Sequence, residues 1–195
     1  MQCAIIKYNA GNVMSVSFAL NRLGIEPIIS DDPEIISSAD KVIFPGVGEA
    51  STAMNYLRAK GIDKLLIGLK QPVIGICLGL QLLCKYSEEN NTECLGIFDE
   101  TVKLFPPTQK VPHMGWNTIN NFKSKLFDNV EVESYGYFVH SYYAEIGINT
   151  IAQSNYILPF SAGLSKNNFY ACQFHPEKSG EIGSKILENF ITKIF

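Results

Sequence analysis

Three side chains in this sequence have the types and settings that nucleophilic hydrolysis requires: Cys77, His175 and Glu177. Cys77 sits inside Val73-Ile74-Gly75-Ile76-Cys77-Leu78-Gly79-Leu80-Gln81. The apolar run 73–76 opens after Pro72 and fits a buried strand, while Leu78, Leu82, Leu83 and Tyr86 fall at helical spacing. Gly75 and Gly79 bracket the cysteine, as a tight strand-to-helix turn demands of residues that neighbouring chain must approach closely. Such a turn presents the thiol at the carboxyl end of its strand, where free backbone N–H groups of the following helix favour thiolate and can hold an oxyanion. The competing reading is a cysteine packed at an apolar junction, since cysteine is among the most buried residue types.

A thiol nucleophile needs a base that takes its proton and returns it to the leaving group, and a third group that orients the base. His175 follows the apolar segment Phe169-Tyr170-Ala171-Cys172-Gln173-Phe174, and Glu177 stands two residues beyond it across Pro176. Alone, His-Pro-Glu reads as a solvated turn; beside a glycine-bracketed cysteine it reads as base and orienting carboxylate. Pro45-Gly46-Val47-Gly48 ends another strand and can supply backbone N–H donors beside the amide of Leu78. His113 and His140 lack metal-ligand spacing and read as packed or surface residues, so no metal is expected.

The surrounding pattern places these residues on one sheet edge. Residues 4–6, 27–29, 42–44 and 73–76 are short apolar strands. They alternate with a helix capped by Asn12 and closed by Gly24, a helix on which Ala53, Met54 and Leu57 share a face, and a helix over residues 62–69. This alternation predicts an α/β fold with a mostly parallel sheet, right-handed crossovers and helices on both faces, with sites at the strands' carboxyl ends. From about Glu89 onward the pattern becomes strand-rich. Residues 102–105, 116–119, 137–143 and 150–152 read as strands, and residues 160–164 and 169–174 as a hairpin turned at Lys166-Asn167-Asn168. This half is expected to add antiparallel strands to the sheet before a helix starting near Ser179.

The 195 residues match one ordinary domain. Net charge is −3 with no basic stripe, which argues against nucleic acid and anionic membrane as partners. The N-terminal residues lack the pattern of a signal sequence, and no run approaches a membrane span, so a cytoplasmic location is expected. Five cysteines without a Cys-x-x-Cys pair argue against a disulfide framework or a zinc site. Cys84 reads as core.

Taken together, the Cys77, Pro45-Gly46-Val47-Gly48 and Phe174-His175-Pro176-Glu177 motifs resemble those of the class I (triad) glutamine amidotransferases. Gly11-Asn12-Val13-Met14-Ser15-Val16, Val111-Pro112-His113-Met114-Gly115-Trp116-Asn117, Tyr137-Phe138-Val139-His140-Ser141-Tyr142 and Lys178 narrow the resemblance to the glutaminase subunits of imidazole glycerol phosphate synthases. It spans almost the whole chain. It implies a single glutamine amidotransferase domain over residues 1–195 with a flavodoxin-like fold. Cys77 would attack the glutamine amide, His175 would protonate ammonia and then activate water, and Glu177 would orient His175. Val47 and Leu78 match the oxyanion hole, and Gly48, Gln81, Ser141 and Tyr142 match substrate-binding positions. Asn12, His113, Trp116, Tyr137 and Lys178 match positions of the partner interface and its coupling. The implied partner is a cyclase subunit, a (β/α)8 barrel in a heterodimer, which takes ammonia onward in histidine biosynthesis; no cofactor is implied. Lys7-Tyr8-Asn9-Ala10 and Glu49-Ala50-Ser51 depart from the family's usual residues. The alternatives are the glutaminase subunit of another amidotransferase, such as pyridoxal phosphate synthase, which His-Met-Gly-Trp-Asn disfavours, and a non-catalytic regulatory module, which an intact triad disfavours.

Overall fold

The computed structural model of the chain describes residues 1–8 and 12–195; Asn9, Ala10 and Gly11, which fall within the departing segment and the Gly11-Asn12 motif, lie outside the described residues. The first half runs β1 (Cys3–Ile6), α1 (Val13–Arg22), β2 (Ile28–Ser30), α2 (Pro33–Ser38), β3 (Lys41–Gly46), α3 (Ala50–Lys60), α4 (Ile62–Gly68), β4 (Val73–Cys77) and α5 (Leu78–Leu83). The second half contributes β5 (Tyr86–Ser87), β6 (Thr92–Glu93), β7 (Thr101–Leu104), β8 (His113–Ile119), β9 (Ser134–His140), β10 (Tyr142–Ala144), β11 (Thr150–Tyr156), β12 (Leu158–Lys166), β13 (Phe169–Cys172) and α6 (Gly180–Lys193).

A seven-stranded sheet in the order β11-β12-β13-β4-β3-β1-β2 forms the centre. Neighbours from β13 through β2 are parallel, and β12 and β11 extend the edge antiparallel. Every residue of β1, β3 and β4 is buried because both faces are covered. Alternate residues serve opposite layers. Ala4, Ile6, Val42 and Phe44 pack with α2, α3, α4 and α5 residues such as Ile36, Leu57, Leu66 and Leu82. Cys3, Ile5, Ile43 and Ile74 pack with Val16 and Leu20 of α1 and Ile186 and Phe190 of α6. Local signals set the ends: Asn12 Oδ1 accepts from Ser15 N at 3.2 Å to start α1, and Gly61 at φ +69° closes α3.

Several elements differ from the sequence expectation. Helix α2 was not expected; it is six residues, too short to show a period, and begins from the Asp32 cap with Pro33 in its first turn. Strand β3 continues through Pro45 and Gly46 instead of stopping before them. Its β1 pairing ends at Ile43, so the missing proline N–H costs no ladder bond on that side. Helix α5 ends before Tyr86, which belongs to β5. The apolar run 137–143 breaks at Ser141 into β9 and β10, which enter different sheets. Among the described residues only β11 and β12 add antiparallel strands to the main sheet; β8 and β9 form a separate two-stranded ribbon, and β7 and β10 join a four-stranded sheet with β5 and β6.

A point of close packing beside the nucleophile turn is Gly79, where a Cβ would be driven into the Phe44 carbonyl oxygen. Gly79→Ala is expected to destabilise the protein by about 3 kcal/mol or prevent folding. Gly68→Ala, at a position with open space around it, should be neutral or slightly stabilising; thermal unfolding of the two variants checks the contrast.

Candidate active site

Cys77 is the last residue of β4 and the residue from which α5 starts. Its backbone is at φ 54°, ψ −108°, a region that costs a non-glycine residue about 1–3 kcal/mol and persists only where surrounding structure holds it. That support is the packing of α5 against β3 and β4, with Gly75 and Gly79 giving the room. The turn delivers Cys77 to a cavity of about 310 Å³, also lined by Val47, Gly48, Leu78, Gln81, Glu89 and Tyr142. The Leu78 N–H lies in the first turn of α5, where no intrahelical acceptor exists.

Register brings the other half of the site alongside. In β13, Cys172 pairs with Ile76, so the chain leaving β13 emerges beside Cys77. His175 N donates to Tyr137 O at 2.9 Å, and Ser179 Oγ donates to His175 O at 2.6 Å while accepting from Tyr137 N at 3.0 Å. The segment is thus a buried, pinned turn and not a solvated one. His175 Nδ1 lies 2.8 Å from Glu177 Oε1, with the side chains 2% and 1% exposed. Burial opposes charge on this imidazole, but the Cys77 sulfur and the Glu177 carboxylate outweigh it and raise its pKa to about 10. Among the described residues Nε2 makes no hydrogen bond of ordinary geometry.

A thiol at a strained turn, a buried imidazole aligned on a carboxylate and an adjoining cavity are the parts from which a nucleophile, base and orienting group can be made. The pattern defining the Glutamine amidotransferase class-I family matches residues 7–194. The chain belongs to the class-I glutamine amidotransferases. Curated relatives named imidazole glycerol phosphate synthase subunit HisH include that of Bacteroides thetaiotaomicron, 58% identical over 98% of this chain and 99% of its own length. The same-named protein of Escherichia coli K12 is 45% identical, again over 98% and 99%. Solved structures share the fold. A glutamine amidotransferase superposes with a TM-score of 0.76 at 20% identity, covering 96% of each chain. PurLQS from Thermotoga maritima gives 0.74 at 18%, covering 97% of each.

In this amidotransferase the expected substrate-binding positions converge. Gly48, Gln81, Ser141 and Tyr142 line the Cys77 cavity, and Val47, 37% exposed, forms its lip with Gly48. Gln81 Nε2 donates to Tyr142 O at 2.9 Å and to Gln173 Oε1 at 3.2 Å. Gln173 was missed by the sequence reading. It is fully buried, and its Nε2 lies 3.8 Å from Cys77 Sγ; its place two residues before His175 was the available signal. Glu89, also missed, lines the cavity and accepts from Ala50 N at 2.7 Å. Burial raises its pKa, with Glu49 adding to the shift and the Ala50 N–H opposing it. Tyr8 supports the lip from behind, donating to Pro45 O at 2.6 Å. The departing residues Glu49 and Ser51 follow the lip directly: Glu49 accepts from Ser51, Thr52 and Asn90.

The interface positions divide by strand parity. Trp116 pairs with Tyr137 across β8 and β9, their rings 5.8 Å apart, and Lys178 Nζ sits 5.9 Å from the Tyr137 ring. Trp116 and Met114 are exposed on this face. Asn12 caps α1, which packs against the turn carrying Lys178. His113 corrects the expectation: three residues from Trp116 on the same strand, it points to the opposite face and is 4% exposed, stacked on Tyr156 and Phe138. Both His113 and His140 are packed residues. Burial pushes the other cysteine thiols up, Cys3 and Cys94 to about 12 and Cys84 and Cys172 also upward, so they stay protonated.

Because the His175 pKa is raised, the stabilisation linked to its proton is fully present below the ordinary histidine value of about 6.5 and is lost as pH rises through about 10. Glu177→Gln is expected to cost about 3 kcal/mol of stability at pH 6. The gap from the parent should narrow towards pH 10, as read from denaturant unfolding at the two pH values.

Proposed function

We infer that this chain is the glutaminase subunit of an imidazole glycerol phosphate synthase, hydrolysing glutamine to glutamate and ammonia for histidine biosynthesis. The observation that carries the reading is near-full-length identity of 58% to a subunit so named, joined to the Cys77, His175 and Glu177 set beside a cavity of amino-acid size.

The residues perform the reaction as follows. Glutamine enters with its side-chain amide at Cys77. Glu89 faces the α-ammonium, and the Ser141-Tyr142 backbone with Gln81 holds the polar end. Cys77 Sγ attacks the amide carbon with the thiol proton already carried by His175, and the oxyanion is held by the N–H groups of Leu78 and Val47. As the C–N bond breaks, His175 returns the proton to nitrogen and ammonia leaves. Water then attacks the γ-glutamyl thioester with His175 as base, the C–S bond breaks, and glutamate departs. Glu177 holds His175 in the tautomer and orientation that both steps use.

Ammonia is consumed by a cyclase partner, a (β/α)8 barrel forming a heterodimer with this chain. A docking face fits this: Met14 and Phe18 of α1 and Met114 and Trp116 of β8 are more than half exposed, around Tyr137 and Lys178. Aromatic residues ringed by charge are the usual anchors of such interfaces. The amidotransferase forms one domain over residues 1–195, works in the cytoplasm and needs no cofactor.

Cys77→Ala should abolish glutamate release with the fold intact by circular dichroism. Glutamate production measured with and without the cyclase subunit and its nucleotide ligand tests the whole reading; no production in their presence overturns it. Trp116→Ala should weaken binding of the cyclase subunit at least about tenfold in titration calorimetry, leaving thermal stability nearly unchanged.

A further inference from the structure

Beneath the β8–β9 ribbon runs an unbroken chain of hydrogen bonds. Asn117 Nδ2 lies 3.3 Å from His113 Nε2, His113 Nδ1 lies 3.2 Å from His140 Nε2, and His140 Nδ1 lies 2.7 Å from Tyr142 O. The same Tyr142 carbonyl accepts from Gln81 Nε2. The direction of every bond is fixed by its two ends. A carbonyl only accepts, so His140 carries its proton on Nδ1 and its Nε2 accepts. His113 must then donate from Nδ1, which leaves its Nε2 to accept from the Asn117 amide. That amide is oriented independently: Nδ2 donates to Asn155 O at 3.0 Å, and Oδ1 accepts from Thr118 N at 2.8 Å. The two anchors agree, and no donor faces a donor anywhere along the chain.

We propose that Asn117, His113 and His140 are positioning residues for glutamine hydrolysis, a tautomer-locked relay that fixes the Tyr142 carbonyl and through it the Gln81 side chain. The proposal rests on the reading of the Cys77 cavity as the glutamine site. Its geometry has a plain consequence for Gln81. With both Nε2 protons engaged, by Tyr142 O and Gln173 Oε1, the amide is held in one orientation and Oε1 alone is left to meet a ligand donor. If the His140 donor were withdrawn, the Tyr142 carbonyl would lose one of its two partners, and Gln81 would be bonded to a carbonyl no longer fixed from its other side. Packing keeps the rings from finding other partners: Phe105, Phe138, Tyr156 and Phe160 surround them. Burial lowers the His113 pKa to about 4 and that of His140 to about 3, in keeping with two neutral rings.

The chain contains three histidines, so side-chain 15N NMR of histidine-labelled protein can assign them individually. His113 and His140 should both be protonated on Nδ1 and bare on Nε2; an Nε2–H tautomer or an imidazolium at either position overturns the relay. Kinetics with the cyclase subunit present test its purpose. An asparagine amide nitrogen falls near the place of histidine Nδ1, whereas that of glutamine reaches towards Nε2. His140→Asn should therefore keep the KM for glutamine within about threefold, and His140→Gln should raise it about tenfold with little change in kcat, one hydrogen bond's worth. Equal KM changes in both variants, or changes that follow the loss of thermal stability, mean packing alone and overturn the positioning role. Absence of glutamate release by the unmutated complex overturns the reading of the cavity, and the positioning role with it, whatever the NMR tautomers show. If neither variant folds, the NMR assignment on the parent protein still decides.

Discussion

Everything at this site depends on the parallel register of three strands, β3, β4 and β13. Pairing Gly46 with Cys77 puts the Val47-Gly48 lip beside the nucleophile, and pairing Cys172 with Ile76 brings His175 to its other side. A slip of one residue would turn each side chain to the opposite face of the sheet. The slip is prevented because both faces are packed: residues on one parity fit the layer of α2 to α5, and the others fit α1 and α6. Stability of the core and placement of the chemistry are therefore one constraint.

Within that frame, burial and charge are balanced against each other. His175 and Glu177 are almost wholly excluded from solvent, and an imidazolium there is tolerable only because a carboxylate and a sulfur attend it. Backbone ties from Tyr137 and Ser179 hold the turn that carries both residues. The geometry is set before any substrate arrives, which is how a site avoids the cost of reorganising polar groups during reaction.

What could be read from the sequence was what local chain geometry encodes. Glycines around Cys77 report a close approach, Pro45-Gly46-Val47-Gly48 reports a strand end, and His175-Pro176-Glu177 reports two polar groups on a short rigid turn. Gln173 and Glu89 were not read because their importance arises from pairings with residues far away in the chain. The break at Ser141 was hidden by an apolar alternation that continues through it while the strand changes sheets. The placement of His113 was readable and overlooked: an odd separation on a strand sets His113 and Trp116 on opposite faces, so both cannot face one partner. The short helix α2 left no periodic trace at all.

The rim of the cavity carries a further implication. Glu88, Glu89 and Glu49 all act on the Tyr142 hydroxyl, adding to the effect of burial in raising its pKa, so the mouth of the site is held at negative potential. Glutamine arrives as a zwitterion with no net charge, whereas the acid left after deamidation has gained a second carboxylate. Like charge at the doorway repels the second species more than the first. The departing residue at position 49 adds its charge to that doorway.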